Sequence, residues 1–207
     1  VNVGQATRKE SPERYLSRID PALGKVIRKS ERYEFTPSRS GLHEFAQIIV
    51  YQQLSGAAAK TIFGRILQTA KCRRLTLETL GKLSDRQLKA AGVSPQKLKY
   101  LRDLQDKVKS GEFEVKKLAS MSDEEAITAI TSVKGLGQWS AEMYLMFVLG
   151  RPDVFSAGDN GLQTAVRRLY GFEGSRKELT AFAERWKPYR TIAAWYLWRY
   201  LSITTIA

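Results

Sequence analysis

The sequence predicts an all-α fold, and three observations predict it. Apolar residues recur at helical spacing, as in Phe45, Ile48 and Ile49. Helix-start signals punctuate the chain, with Ser or Asp ahead of Pro, or Ser three residues ahead of Glu or Gln. No stretch alternates apolar and polar residues over the length of a strand, and no repeat or low-complexity tract intervenes. A chain of 207 residues makes one domain or two small lobes. The expectation is two helical lobes: one over about residues 35–110, the other over about residues 111–207 together with N-terminal helices within residues 11–30.

Taken in order, Val1 to Glu10 reads as loosely ordered. Ser11-Pro12-Glu13-Arg14 opens a helix with Pro at its first position, and Asp20-Pro21 repeats the device. The basic residues that follow, Lys25, Arg28, Lys29 and Arg32, read as a solvated face. From Ser40 to Gln68 an apolar helix is interrupted at Gln52-Gln53-Leu54-Ser55-Gly56, after which the small residues Ala57-Ala58-Ala59 open the next. Small side chains permit close helix–helix contact. Ser84 to Gln87 is a capping box, and Gly92 ends its helix. Ser94-Pro95 begins another that stops near Gly111. Lys97, Lys99 and Lys107 read as exposed, and His43 as a surface or cap-region residue. Ser122 to Glu125 and Ser175 to Glu178 are further capping boxes, and an aromatic helix carries Trp195, Tyr196, Trp198 and Tyr200.

Lys and Arg number 34 against 21 Asp and Glu, a net charge of +13, which points to a polyanionic partner, most simply nucleic acid. An anionic membrane surface is the rival, but no apolar run reaches the ~18 residues of a span. No signal-peptide pattern opens the sequence. The lone Cys72 excludes an internal disulfide and suits a reducing compartment. One Cys and one His cannot make a zinc site or a cysteine-ligated iron–sulfur cluster.

The most informative stretch runs from Ser122 to Tyr170. A capped helix reaches about Ile130. The turn Val133-Lys134-Gly135-Leu136-Gly137 leads into a second, apolar helix over Gln138–Leu149, and a Gly158-Asp159 step opens a third. Glycine tolerates positive φ and lets a backbone approach a neighbour closely. The first N–H groups of the second helix have no intrahelical partner and lie at the positive dipole end, so they can hold an anion such as a phosphate. A plain helical hairpin also favours Gly at this place. Asp159 reads by position alone as an N-cap, but the surrounding pattern, Arg151-Pro152-Asp153-Val154-Phe155 then Gly158-Asp159, favours a catalytic carboxylate, and the two roles are compatible.

This order resembles the helix-hairpin-helix DNA glycosylases, in which a Gly-containing hairpin is followed by one essential Asp. The match extends over roughly Ser40 to Tyr200. Within that superfamily the chain is most similar to the 3-methyladenine DNA glycosylase II group and its yeast alkylbase counterparts. Those proteins carry Trp at the position of Trp139 and a WKPxR motif, here Trp186-Lys187-Pro188-Tyr189-Arg190. Bifunctional relatives place a Schiff-base Lys where Trp139 stands, two residues after the second hairpin Gly. The resemblance therefore implies a monofunctional enzyme with water as nucleophile.

It further implies Asp159 as the catalytic residue, in a DNA-binding cleft between the lobes. The base pocket would comprise Trp139, Trp198, Met143 and Tyr144, with Met143 departing from the aromatic of the bacterial protein. Core packing is the competing role for such aromatics. Gln53, Leu54 and Ser55 would enter the minor groove, one of them filling the hole left by an everted nucleotide. Lys134, Gly135, Leu136, Gly137 and Ser140 would meet a DNA phosphate. The carbonyls of Thr131, Val133 and Leu136 would hold a monovalent cation, Na⁺ or K⁺, with no other cofactor required. The expected partner is double-stranded DNA with a damaged or abasic nucleotide, the expected state a monomer. The expected compartment is the nucleus in a eukaryote, or otherwise the bacterial cytoplasm and nucleoid. The implied reaction is hydrolysis of the N-glycosidic bond of alkylated purines in base-excision repair. The alternatives are a non-catalytic DNA-binding module, a glycosylase–lyase and an RNA-binding helical protein.

Overall fold

The computed structural model describes residues 10–36 and 41–205, and among these residues the regular elements are all helices. In chain order they are α1 (Pro12–Ile19), α2 (Pro21–Lys29), α3 (Leu42–Tyr51), α4 (Gly56–Thr69), α5 (Leu77–Gly81), α6 (Asp85–Ala90) and α7 (Pro95–Ser110). A 3₁₀ turn at Val115–Ser120 precedes α8 (Asp123–Thr131), α9 (Gln138–Phe147), α10 (Asn160–Tyr170) and α11 (Arg176–Ala183). A second 3₁₀ turn, Glu184–Trp186, leads to α12 (Arg190–Thr205). The reading of the opening residues as loosely ordered falls, Glu10 excepted, outside the described residues, as does Ser40.

The helix starts follow local chemistry. Ser11 accepts the Arg14 N–H and Asp20 accepts the Leu23 N–H, each ahead of a Pro at the first helical position. The boxes Ser84/Gln87, Ser122/Glu125 and Ser175/Glu178 all close reciprocally. A fourth, Thr76/Thr79, starts the five-residue α5 and was not anticipated. Gly111, at φ 83°, ends α7 in the left-handed conformation.

The chain divides into two compact units, residues 1–36 with 151–207, and residues 37–150. The expected division near residue 110 is therefore corrected: residues 111–150, with the hairpin, belong with α3 to α7. The reason is packing, since α9 as well as α7 packs on α3. Phe45 of α3 stacks on Tyr144 of α9 with ring centroids 4.1 Å apart, and meets Phe113 edge-on at 5.1 Å. All three rings are almost completely buried. Each such side chain contributes about 1.5–3 kcal/mol or more by leaving water.

In the other unit α12 packs on α10 and α2. The buried Asp20 is its polar pin. Oδ1 caps α2, while Oδ2 accepts the Tyr170 hydroxyl at 2.8 Å and the Trp186 indole N–H at 2.9 Å. Burial, with Asp20 adjacent, raises the Tyr170 pKa, so the phenol stays a donor. Trp186, from the Trp-Lys-Pro-Tyr-Arg segment, is fully buried.

Candidate active site

Asp159 is the N-cap of α10. Its Oδ1 accepts the Leu162 N–H and the indole N–H of Trp198, both at 2.9 Å. Trp198 reaches it from α12. Gly161 completes the arrangement: a Cβ there would lie 3.0 Å from both Asp159 Oδ1 and Trp198 Nε1. A residue with any side chain would push into the pair, a constraint that the sequence alone gave no sign of.

The loop leading to Asp159 is clamped to the start of α12. Arg190 makes a bidentate contact with Asp153, Nε to Oδ1 at 2.8 Å and Nη2 to Oδ2 at 3.1 Å. Its Nη1 reaches Glu184 at 2.8 Å. Thr191 donates its backbone N–H to the Pro152 carbonyl, and its buried hydroxyl takes the Val154 N–H, each at 3.0 Å. Arg190 thus acts on the loop that carries the carboxylate, and forked pairs of this kind combine strength with a set orientation.

The hairpin lies in the other unit. Gly135 has φ 82°, and a Cβ there would lie 2.2 Å from the Tyr100 ring, so only glycine fits. Gly137, the N-cap of α9, offers no side-chain cap and has open space where a Cβ would stand. Lys134 is exposed, with its backbone N–H on Asp103 Oδ2 at 2.8 Å and its ammonium 3.5 Å from Oδ1. Ser140, expected to meet a phosphate, is a correction: the whole residue is buried, with its hydroxyl 3.5 Å from the Gln52 amide nitrogen, because the third position of α9 faces the interior. α9 ends at Phe147, slightly short of the expected Leu149.

The Gln52–Gly56 break is a true turn. Gln53 is exposed with φ 55°, Leu54 is exposed, and Ser55 caps α4 through the Ala58 N–H. Lys97, expected to be merely exposed, is instead partly buried. Its ammonium donates to the carbonyls of Val50 at 2.8 Å and Gln52 at 2.6 Å, and burial lowers its pKa. The Gln52 side chain donates to the Gly135 carbonyl at 2.7 Å, joining the turn to the hairpin.

Beside these elements is a cavity of about 510 Å³, within the usual range for small-ligand pockets. Trp139, Met143 and Phe147 of α9 line it with Ile48, Glu44 and Arg74. Trp139 and Phe147 remain exposed. The expected pocket residue Tyr144 is a correction: its position on α9 turns it onto Phe45 in the core, and it does not line this cavity. Trp198 lies in the other unit, beside Asp159. His43 is half-buried, its Nδ1 accepting the Leu75 N–H at 3.1 Å, and burial lowers its pKa.

Comparison with known proteins gives the family and the fold. Residues 46–190 match the family described as HhH-GPD superfamily base excision DNA repair protein. DNA-3-methyladenine glycosylase 1 of Schizosaccharomyces pombe is 30% identical, the alignment covering 90% of this chain and 85% of that protein. The crystal structure of a DNA-3-methyladenine glycosidase from Bacillus halodurans superposes with a TM-score of 0.83 at 36% identity, covering 95% and 92% of the two chains. The S. pombe enzyme in complex with abasic DNA superposes with a TM-score of 0.82 at 28% identity, covering 91% of this chain and 95% of that one.

Proposed function

The chain belongs to the HhH-GPD superfamily of base excision DNA repair proteins, and from that premise we propose that it is a DNA glycosylase that releases alkylated purines by hydrolysing the N-glycosidic bond. The observation that carries the reading is the Asp159 carboxylate, held at the start of α10 by one amide and one indole donor.

Breaking the bond between base and sugar develops positive charge on the sugar ring. A preorganised carboxylate stabilises that charge without reorganising as it forms. It also orients the attacking water and takes its proton as the oxygen bonds to C1′, while the base departs with the bonding electrons. A base made cationic by alkylation is already a good leaving group, so one carboxylate suffices. Trp139, Met143 and the rest of the unit 37–150 cavity receive the everted base, the indole favouring a flat cation. Gln53 and Leu54 fill the vacated place in the duplex, Ser55 lies in the minor groove, and Lys134 and the Gly135–Gly137 turn meet the phosphate strand. With Trp139 where a lyase needs Lys, no Schiff base forms. A monovalent cation would suit the carbonyls of Thr131, Val133 and Leu136. The Val133 carbonyl accepts the Leu136 N–H at 3.0 Å yet keeps a second lone pair, and Thr131 ends α8, where carbonyls lack helical partners. Such an ion would lend positive charge toward a phosphate. The protein acts as a monomer on double-stranded DNA.

Base release from methylated DNA tests the proposal. Asp159→Asn should abolish release while keeping the cap, the fold and binding to abasic-site DNA. Silence of the wild type over a broad lesion panel would leave a non-catalytic DNA-binding module in its place. Borohydride trapping should give no covalent adduct.

A further inference from the structure

The end of α3 is held differently from the end of α4. The last carbonyls of a helix lack helical partners, and a left-handed residue commonly lets the N–H groups that follow turn back to meet them. α4 ends in this way. Lys71, at φ 49°, donates to the Gln68 carbonyl and Cys72 to that of Leu67, each at 3.1 Å. Gln53, at φ 55°, is the other left-handed residue with a side chain among the described residues. Here no backbone N–H of the described residues bonds to the Val50 or Gln52 carbonyl. Both are taken by the half-buried ammonium of Lys97, from α7, at 2.8 and 2.6 Å. A left-handed backbone under a side chain is strained and persists only where its surroundings fix it. A charged donor makes the stronger bond, and a cation suits the negative end of a helix.

We propose that Lys97 is a positioning residue for the duplex-filling turn: by taking both carbonyls on the approach to Gln53, it holds the exposed Gln53 and Leu54 in the shape that fits the place of an everted nucleotide. This rests on the proposed role of Gln53 and Leu54 and adds what sets them. Lys97 itself stays out of the duplex, since its ammonium is engaged under the turn. A segment already in its bound shape loses less conformational freedom on insertion. Without the ammonium the two carbonyls turn to water, Gln53 relaxes toward negative φ, and the turn samples shapes that do not fit. The effect is confined to DNA with a vacancy to fill, because an intact duplex offers these side chains no place.

The test is Lys97→Met, which keeps an unbranched stem and removes the donors. Affinity for abasic-site DNA, measured by anisotropy, should fall about tenfold, the loss expected for a bond to a charged group, while affinity for undamaged duplex holds. Single-turnover base release from duplex DNA should fall by a similar factor. Lys97→Arg keeps a cation with enough donors for two carbonyls and should retain most of the preference for abasic-site DNA. A double-mutant comparison separates positioning from general support. In a chain already carrying Gln53→Ala and Leu54→Ala, Lys97→Met should remove no further preference. Lys97→Gln carries the same comparisons if Lys97→Met does not fold. An unchanged preference for abasic-site DNA on loss of the ammonium would overturn the proposal. An equal further loss in the Gln53→Ala, Leu54→Ala chain would also overturn it, leaving Lys97 as a support for the packing of α3 on α7. A wild type that releases no base but shows the Lys97-dependent preference would sink the enzymatic reading and spare this one.

Discussion

The indole N–H of Trp198 donates to Oδ1 of Asp159 at 2.9 Å, the same oxygen that receives the Leu162 amide. Two donors from different helices, α12 and α10, therefore set one carboxylate. Replacing Trp198 with Phe preserves an aromatic surface but deletes the donor. Hydrogen bonds to charged groups are worth about 1.5–3 kcal/mol, so single-turnover base release should fall by roughly 10- to 100-fold. Affinity for abasic-site DNA should hold. Wild-type release by Trp198→Phe would show that α10 alone positions the acid.

Gly161→Ala probes the same pair from below. Alanine is the better helix former by about 1 kcal/mol, so the substitution should not lower the melting temperature by more than a few degrees. Its Cβ, 3.0 Å from Asp159 Oδ1 and Trp198 Nε1, must nevertheless displace one of them. Small misplacements of a catalytic group are expensive, and about a tenfold loss of base release is expected. Comparing calorimetry with kinetics separates the two effects, and an Ala variant with full activity would contradict the geometry.

The hairpin glycines should respond differently to alanine. Gly135→Ala meets the Tyr100 ring at 2.2 Å and places Cβ on a backbone at φ 82°, which alone costs about 1–2 kcal/mol. A marked loss of stability is expected, only partly relieved by also shortening Tyr100. Gly137→Ala meets nothing within 4 Å and should leave urea unfolding unchanged. If its open face receives a phosphate, DNA affinity measured by anisotropy falls in Gly137→Ala despite intact stability.

His43 gives a pH signature. Burial lowers its folded pKa below the ordinary value near 6.5, and Nδ1 must stay unprotonated to accept the Leu75 N–H. The unfolded chain then binds the proton more readily, so stability rises with pH across this interval. The His43 contribution is fully present above about pH 6.5 and is lost as pH falls through the folded pKa. Melting temperatures from pH 8 to pH 5 should decline less steeply in His43→Gln than in the wild type. Parallel slopes would exclude His43 as the titrating group.

Features written in neighbouring residues were legible before folding was considered. The boxes at Ser84, Ser122 and Ser175 close as read because each is a three-residue bargain between a hydroxyl, a carboxyl or amide and the backbone. Asp159 was legible both as a cap and as a candidate acid because its helix starts there. Features that depend on which face of a helix meets which neighbour were not. Tyr144 and Met143 adjoin on α9, yet one ring lies in the core on Phe45 and the other residue lines the cavity. Trp198 could be read as an aromatic wall, but its indole donor to Asp159 needs α12 to pack on α10. The unit boundary was misplaced because Gly111 ends a helix without ending the contacts of α3, and the space-limited role of Gly161 leaves no trace in composition.

The bond from Gln52 to the Gly135 carbonyl, with Lys97 gripping the end of α3, has a mechanical consequence. The exposed Gln53–Leu54 tip and the glycine hairpin share one stiff mount. Force applied at either is delivered to the other without first uncoiling a helix, so a protein pressing that tip into a duplex would tug on whatever its hairpin holds in the same stroke.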